Sequence, residues 1–202
     1  MWLGGALRGR SPRTREGRIC PTAQNCSGQW LVVSETEVIT YYLEMTSAGE
    51  LRPARAPAEP FAVRRAEAAF PALNRFFYRE VGRAYSWTTR LPWTEEQWQA
   101  WVERPELQTW IGYVRETPAG YFELDAQREK GTKQVELAYF GLLPPFVGRG
   151  VGGALLTEAI RRAWALGPQR VWVHTCTLDH PAALPNYQKR GFRIYDQKRN
   201  AE

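Results

Sequence analysis

The sequence predicts a fold of the α/β (α+β) class. Strand-like and helix-like periodicities interleave in the order β-α-α-β-β-β-α-β-α-β, not in separate blocks. An apolar run at 134–143 leads through a glycine loop into an amphipathic helical pattern at 150–166. Two alternating segments at 108–116 and 119–127 flank the turn signal Thr117-Pro118, as in a hairpin.

Each element has a local reason. Residues 1–37 mix Arg, Gly and Ser without sustained periodicity and read as a disordered or loosely packed leader. Regular pattern starts at the strand Val38-Ile39-Thr40-Tyr41-Tyr42-Leu43. That late start raises the expectation that translation begins near Val33 or Val38, which intact-mass analysis of the native protein tests. Residues 53–60 form a Pro/Ala linker, so the chain divides into 1–37, 38–60 and a domain at 61–198. A short strand is expected at 61–65. A helix is expected at 71–81, with Leu73, Phe76, Phe77 and Val81 at three- and four-residue spacing. Thr94-Glu95-Glu96-Gln97 is a capping box opening a helix to about residue 102. The hairpin follows, then the strand at 134–143, where simple alternation puts Glu136 on the face of Ala138, Phe140 and Leu142.

In the helix at 150–166, Val151, Leu155, Ala159 and Ala163 form a row, with Leu156, Ile160 and Trp164 beside it. Glu158, Arg161 and Arg162 face water, and Gly167-Pro168 ends the helix. A strand at 170–175, a helix at 181–190 stopped by Gly191, and a strand at 192–196 complete the chain.

Composition narrows the function classes. The 202 residues suffice for one domain with a substantial core. No apolar run approaches the roughly 18 residues of a membrane span, so no membrane partner is expected. The net charge is +6, but residues 1–20 hold five Arg and one Glu; +4 sits there and +2 on the other 182 residues. No basic stripe with interleaved aromatics stands out, so no nucleic-acid partner is expected either. Cys20, Cys26 and Cys176 make no disulfide framework, and residues 1–7 are too short for a secretory core before Arg8 and Arg10. The chain reads as cytoplasmic. His174, Cys176 and His180 lack a fourth ligand at a familiar spacing, so no metal is expected.

The glycine loop carries the chemistry. Main-chain N–H groups at a helix start have no intrahelical partner, and the macrodipole makes that end an anion site. Gly148-x-Gly150-x-x-Gly153 also matches the dinucleotide fingerprint, a weak signal alone. Context argues against it: Pro144-Pro145 separates strand from glycines, and about one βαβ unit remains downstream. Coenzyme A, with its pyrophosphate, is the other ligand class.

Gly148-Arg149-Gly150-Val151-Gly152-Gly153, followed by Ala154-Leu155-Leu156, resembles the acyl-CoA loop of the GNAT (Gcn5-related N-acetyltransferase) superfamily, Gln/Arg-x-x-Gly-x-Gly/Ala. Val147 stands where Gln or Arg is usual. Downstream, the stretch from His180-Pro181-Ala182-Ala183 to Tyr187-Gln188-Lys189-Arg190-Gly191-Phe192 is similar to Asn-x-x-Ala-Ile-x-Leu-Tyr-x-x-x-Gly-Phe of the same superfamily, with His180 in place of Asn.

The resemblance implies the acyl-CoA N-acyltransferase fold, a mixed central sheet flanked by helices on both sides. It implies acetyl-CoA as co-substrate and a small-molecule or peptide amine as acceptor, with a homodimer a common state. By the same resemblance, Phe140, Gly141 and Leu142 hold the pantetheine, Gly148 to Gly153 (with Arg149, Val151 and Gly152) take the pyrophosphate, and His180 stands at the coenzyme contact. Tyr187 falls on the general acid. Glu136 matches a base-bearing strand glutamate, Glu123 on the neighbouring strand is the alternative, and His174 is the third candidate. Direct transfer in a ternary complex is implied, and Cys176 as an acyl carrier is disfavoured. Bland readings compete: a structural turn for the glycines, a packed helix residue for Tyr187, a strand-end ion pair for Glu136. Trp98 and Trp101 share a helix face and read as core. Trp87 and Trp93 read as acceptor walls suited to a small or partly apolar amine. A non-catalytic acyl-CoA-binding module and a dinucleotide-dependent oxidoreductase are the competing functions.

Overall fold

The computed structural model describes residues 22–24, 30–32, 37–129 and 131–200. The chain forms two units, 1–36 and 37–202. In the first, strands β1 (Thr22–Gln24) and β2 (Trp30–Val32) pair antiparallel. The rest of that unit, and with it the expected start near Val33, lies outside the described residues.

The second unit is built on one seven-stranded sheet. Its strands are β3 (Val38–Met45), β4 (Phe61–Arg65), β5 (Leu107–Val114), β6 (Thr117–Glu129), β7 (Thr132–Leu142), β8 (Arg170–Cys176) and β9 (Arg193–Asn200). Their order is β4-β5-β6-β7-β8-β3-β9, and β7–β8 is parallel while the other neighbours are antiparallel. A parallel pair needs a long crossover, and helix α3 (Val151–Ala165) supplies it. Helix α3 and helix α4 (Ala183–Lys189) cover one face, where Leu155, Leu156, Ile160 and Tyr187 pack on Phe122, Leu124 and Leu137. Helix α1 (Pro71–Gly82) and helix α2 (Glu95–Val102) lie on the other, where Phe77 and Val81 pack on Ile111 and Tyr121. This is the mixed sheet with helices on both sides that the sequence resemblance implied.

Local chemistry explains the element ends. Pro71 opens α1, where its missing N–H costs nothing. The Thr94 hydroxyl accepts from Gln97 N at 3.3 Å, and Gln97 Oε1 accepts from Thr94 N at 2.8 Å, closing the capping box of α2. The buried face of α1 differs from the expected row. Asn74, Phe77, Tyr78 and Val81 point inward, while Phe76 is 48% exposed. Polar Asn74 belongs inside because it has buried partners, described below.

The β5–β6 hairpin turns at Arg115 and Glu116, not at Thr117-Pro118. Both turn residues have positive φ, 47° and 60°, the geometry that matches strand twist in a two-residue loop. Neither is glycine; ion pairs from Arg115 to Glu59 (2.9 Å) and from Arg64 to Glu116 (2.7 Å) fix them. Pro118 is absorbed at the start of β6, opposite Tyr113, where an irregularity in register leaves Ala119 unpaired.

A second irregularity corrects the expected face of Glu136. Leu124 pairs with Leu137 but Glu123 pairs with Tyr139, so β7 carries one extra residue, Ala138. The bulge reverses the alternation beyond it. Glu136, opposite Asp125, shares its face with Tyr139 and Gly141; Phe140, opposite Phe122, lies on the other.

Beneath α1 and α2 lies a buried polar layer. Glu123 is 1% exposed. Its Oε1 accepts from Asn74 Nδ2 at 2.8 Å and its Oε2 from Trp101 Nε1 at 2.8 Å, with Arg90 Nη1 3.8 Å away. The same Asn74 amide donates to Thr109 Oγ1 at 2.7 Å. The Arg90 guanidinium is boxed by the rings of Trp93 (4.5 Å), Trp101 (3.6 Å) and Tyr139 (4.4 Å). Burial holds the Glu123 carboxyl above its ordinary value, opposed by Asn74, Arg90 and Trp101.

Two predictions follow from this packing. A Cβ on Gly141 would lie 2.2 Å from Val81 Cγ1. Gly141→Ala should cost about 1–3 kcal/mol in thermal unfolding as α1 is pushed off the sheet, and adding Val81→Ala should recover part of the loss. No recovery would show that the clash is not the cause. Arg90→Met strands a buried carboxylate and should cost about 3–5 kcal/mol at neutral pH, roughly 10 °C in Tm. The folded state holds the Glu123 proton more tightly than the unfolded chain, so this residue's contribution is most favourable in acid and is lost as pH rises. The variant's deficit should therefore shrink from pH 7 towards pH 5; a deficit that grew in acid would contradict the raised carboxyl.

Candidate active site

The site begins where the sheet forks. Strands β7 and β8 pair at Gln134–Arg170, Val135–Val171 and Glu136–Trp172, and no further. Beyond that point β8 stays with β3 as far as Cys176, and β7 stays with β6 as far as Leu142. Among the described residues, one edge of β7 past the bulge is thus left without a strand partner. A cavity of about 600 Å³ occupies the fork, within the range of small-molecule sites. It is walled by residues 137–142 of β7, by His174 and Cys176 of β8, and by Thr40 of β3.

The glycine loop closes one end. Gly148 (φ 80°) and Gly150 (φ 75°) occupy the left-handed region that side chains disfavour. Gly150 caps α3 with no side-chain hydrogen bond, so among the described residues no capping side chain claims the first N–H groups of that helix. Gly148, Gly150, Gly152 and Gly153 line the cavity. Arg149 and Val151 do not line it: Arg149 pairs with Glu59 and Val151 is buried. Gly153 is small for another reason, since a Cβ there would meet Arg190 Nη1 at 2.8 Å. The guanidinium of Arg190 thus lies against the start of α3, and its buried Nε has no hydrogen-bond partner among the described residues. Asn186 and Lys189 of α4 also line the cavity, and Asn186 Nδ2 donates to Gly152 O at 3.5 Å. Sequence reasoning missed these α4 groups, although three helical positions from Asn186 to Lys189 signal one face.

The other sequence-predicted residues divide into two groups. Phe140, Gly141, Leu142, His180 and Tyr187 line the cavity, and so does His174. Tyr187 is 5% exposed, its ring against Phe140 and Phe192. Burial, and next the charge of Asp179, push its hydroxyl well above the ordinary tyrosine value. His180 Nδ1 accepts from Ala182 N at 3.0 Å, and its ring meets Tyr85 edge-on. Glu136 and Glu123 are not on the wall. Glu136 stands behind His174, with its Oε1 3.3 Å from His174 Nδ1 and its Oε2 accepting from Gln127 Nε2 at 3.1 Å. Glu123 is enclosed in the polar layer described above.

The tryptophans sort differently from the sequence reading. Trp87 lines the cavity beside Tyr78, Tyr85 and Tyr139. Trp93 is not on the wall and packs on Trp98, Trp101 and Arg90. Trp98 is core, but Trp101 is only half-buried and serves Glu123. Asp179 is a wall residue that the sequence reading did not single out.

A sequence model described as the acetyltransferase (GNAT) family matches residues 67–192. No curated protein matches the chain. Among solved structures, a GCN5-related N-acetyltransferase from Kribbella flavida superposes with a TM-score of 0.57 at 17% identity, covering 82% of this chain and 60% of its own. A GCN5-related N-acetyltransferase from Sphaerobacter thermophilus gives 0.51 at 20% identity, over 79% of this chain and 49% of its own. An aminoglycoside acetyltransferase from an uncultured soil metagenomic sample gives 0.55 at 12% identity, over 64% of this chain and 86% of its own. The chain thus spans about half to three fifths of the two GCN5-related proteins, and at these identities the likeness is one of fold. The family match runs from before α1 to just beyond α4, through the glycine loop, both arms of the fork and Tyr187: this chain belongs to the acetyltransferase (GNAT) family.

Proposed function

We propose that this protein transfers an acetyl group from acetyl-CoA to a primary amine by direct attack, with both substrates held at once. The observation that carries the reading is the fork, which joins an uncapped glycine-rich helix start to an unpaired strand edge in one cavity. Acetyl-CoA would supply the thioester, an acyl group already activated. In this reading, the α3 N-terminus and the Arg190 guanidinium hold the pyrophosphate, in place of the side chain lost at Val147. The main chain of Phe140, Gly141 and Leu142 takes the pantetheine arm as an added strand. A main-chain N–H on that edge is a fixed donor for charge developing on the carbonyl oxygen.

Tyr187 gives its proton to the departing sulfur. Its raised value keeps the hydroxyl protonated through the neutral range, as a donor requires. For the base, the geometry favours His174 over either glutamate, because His174 faces the cavity and Glu136 does not. Glu136 Oε1 lies 3.3 Å from His174 Nδ1, which favours the proton on that nitrogen and leaves Nε2 as the proton acceptor, directly or through a water. Glu136 is then a positioning residue, and Glu123 organises the wall. No helix among the described residues is long and apolar enough to cross a membrane, and the composition supports action in the cytoplasm.

Acetyl-CoA at about 100 times its Kd should stabilise the protein by roughly 2.7 kcal/mol, a shift of several degrees, while NADH should not. A shift with NADH alone would reassign the glycine loop. In a screen of amines for CoA release, Tyr187→Phe and His174→Gln should each lower turnover by about 10²–10⁴-fold at unchanged acetyl-CoA affinity. Acetyl-CoA binding with no CoA release for any amine would instead favour a non-catalytic acyl-CoA-binding module.

A further inference from the structure

Among the described residues, Asp179 is the one carboxylate that lines the cavity. We infer that Asp179 is the counter-ion for the acceptor, which is therefore a cationic amine carried on an apolar, ring-bearing body; the inference rests on the acetyl-transfer reading of this cavity.

The hydrogen bonds of Asp179 show how it is presented. Its Oδ2 accepts from Thr175 Oγ1 at 2.7 Å and from Cys176 N at 3.0 Å. Its Oδ1 accepts from Trp87 Nε1 at 3.2 Å. A carboxylate has about four acceptor positions, so one lone pair on Oδ1 stays open. The carboxylate is half-buried and held by β8, its following loop and the α1–α2 loop at once, and a preorganised charge binds a cation at little ordering cost. The indole of Trp87 continues from this carboxylate into an aromatic wall. Its ring lies 5.1 Å from Tyr139 and 5.5 Å from Tyr78. Aromatic faces beside a carboxylate suit an ammonium and the apolar carbon that bears it.

The other charged or titratable wall groups are arranged consistently with this choice. Lys189 lies on the helix whose Asn186 reaches Gly152, at the glycine end. His174 is backed by Glu136, and His180 has Nδ1 committed to Ala182 N. The charge of Asp179 also reaches Tyr187. Asp179 and Tyr187 line the same cavity, so an ammonium held at Asp179 shares it with the residue read as proton donor.

The test compares an ammonium with its uncharged isostere. Binding of 2-phenylethylamine and of 2-phenylethanol is measured by calorimetry at neutral pH, on the full chain loaded with CoA, for the wild type and Asp179→Asn. The wild type should bind the amine at least tenfold more tightly than the alcohol, and Asp179→Asn should abolish the preference while still binding the alcohol. A structural latch between Asp179 and Trp87 would make both ligands weaken together and keep the ratio. An unchanged ratio in Asp179→Asn, or no preference in the wild type, would overturn the assignment. Acetyl-CoA binding is titrated separately; its failure in the wild type would sink the acetyl-transfer reading, whereas its success beside an unchanged ratio would sink only the role of Asp179.

Discussion

The loss of pairing between β7 and β8 after Glu136 and Trp172 is the constraint on which the site depends. A buried strand edge with no partner is costly, because each unpaired N–H or C=O forfeits a hydrogen bond. The fold tolerates it here because the edge faces a cavity and not packed side chains. The bulge at Ala138 sits at the parting and supplies the bend that strands need to diverge. The same extra residue turns Tyr139 and Gly141 towards α1 and Phe140 towards α3. Gly141 then lets Val81 approach, so the open arm of β7 is clamped on the helix side while its edge stays free.

The polar layer under α1 and α2 serves that arm from behind. Burying Glu123 and Arg90 gives no assured gain in stability, since desolvation rivals their attraction. What the layer fixes is position. Arg90 belongs to the loop between α1 and α2, and its guanidinium stacks on Tyr139 of β7. Its main-chain N–H donates to the Tyr78 hydroxyl at 3.1 Å. Tyr139, Tyr78 and Trp87 are all wall residues, so a charge pair inside the protein sets the shape of an aromatic surface outside it. Arg90 occupies one face of the Tyr139 ring.

Much of this was legible in the chain. Spacing located α1 and α3, the Thr94 capping box located α2, and the glycine loop was read as a helix start for electrostatic reasons that the uncapped Gly150 supports. The misreadings share one physical source. A bulge is a property of two strands, so nothing in Glu136-Leu137-Ala138-Tyr139 betrays the reversal of face. The turn at Arg115-Glu116 is held by partners from β4 and the linker, which a local scan cannot see. Asn74 looks wrong for a buried helix face until Glu123 and Thr109 stand opposite it. The strand at Val38 was expected, but its place between β8 and β9 depends on pairings more than a hundred residues apart. Asp179 escaped notice because its value lies in being alone, a fact about the wall and not about any motif.

The net charge of the chain also acquires meaning only through the fork. The surplus is six positive charges over 202 residues, four of them in the first twenty, so the body of the chain is nearly neutral. What matters is how charge is distributed along one cavity. Lys189 lines the cavity together with the loop glycines, and the Arg190 guanidinium lies against Gly153 at the start of α3. At the aromatic end stands Asp179, the one carboxylate on the wall among the described residues. Charges of both signs along one cavity suit two ligands of opposite sign. In the acetyl-transfer reading those ligands are a pyrophosphate-bearing thioester and an ammonium. Their reacting atoms would meet midway, beside the Tyr187 hydroxyl and the free nitrogen of His174. Attack still requires the ammonium to lose a proton, so Asp179 must recognise the acceptor in one charge state while His174 prepares it in another. Two separate groups meet that demand better than one carboxylate. A base strong enough to keep the proton would bind the amine in a form unable to attack, and a counter-ion too weak to take it would leave the nucleophile masked.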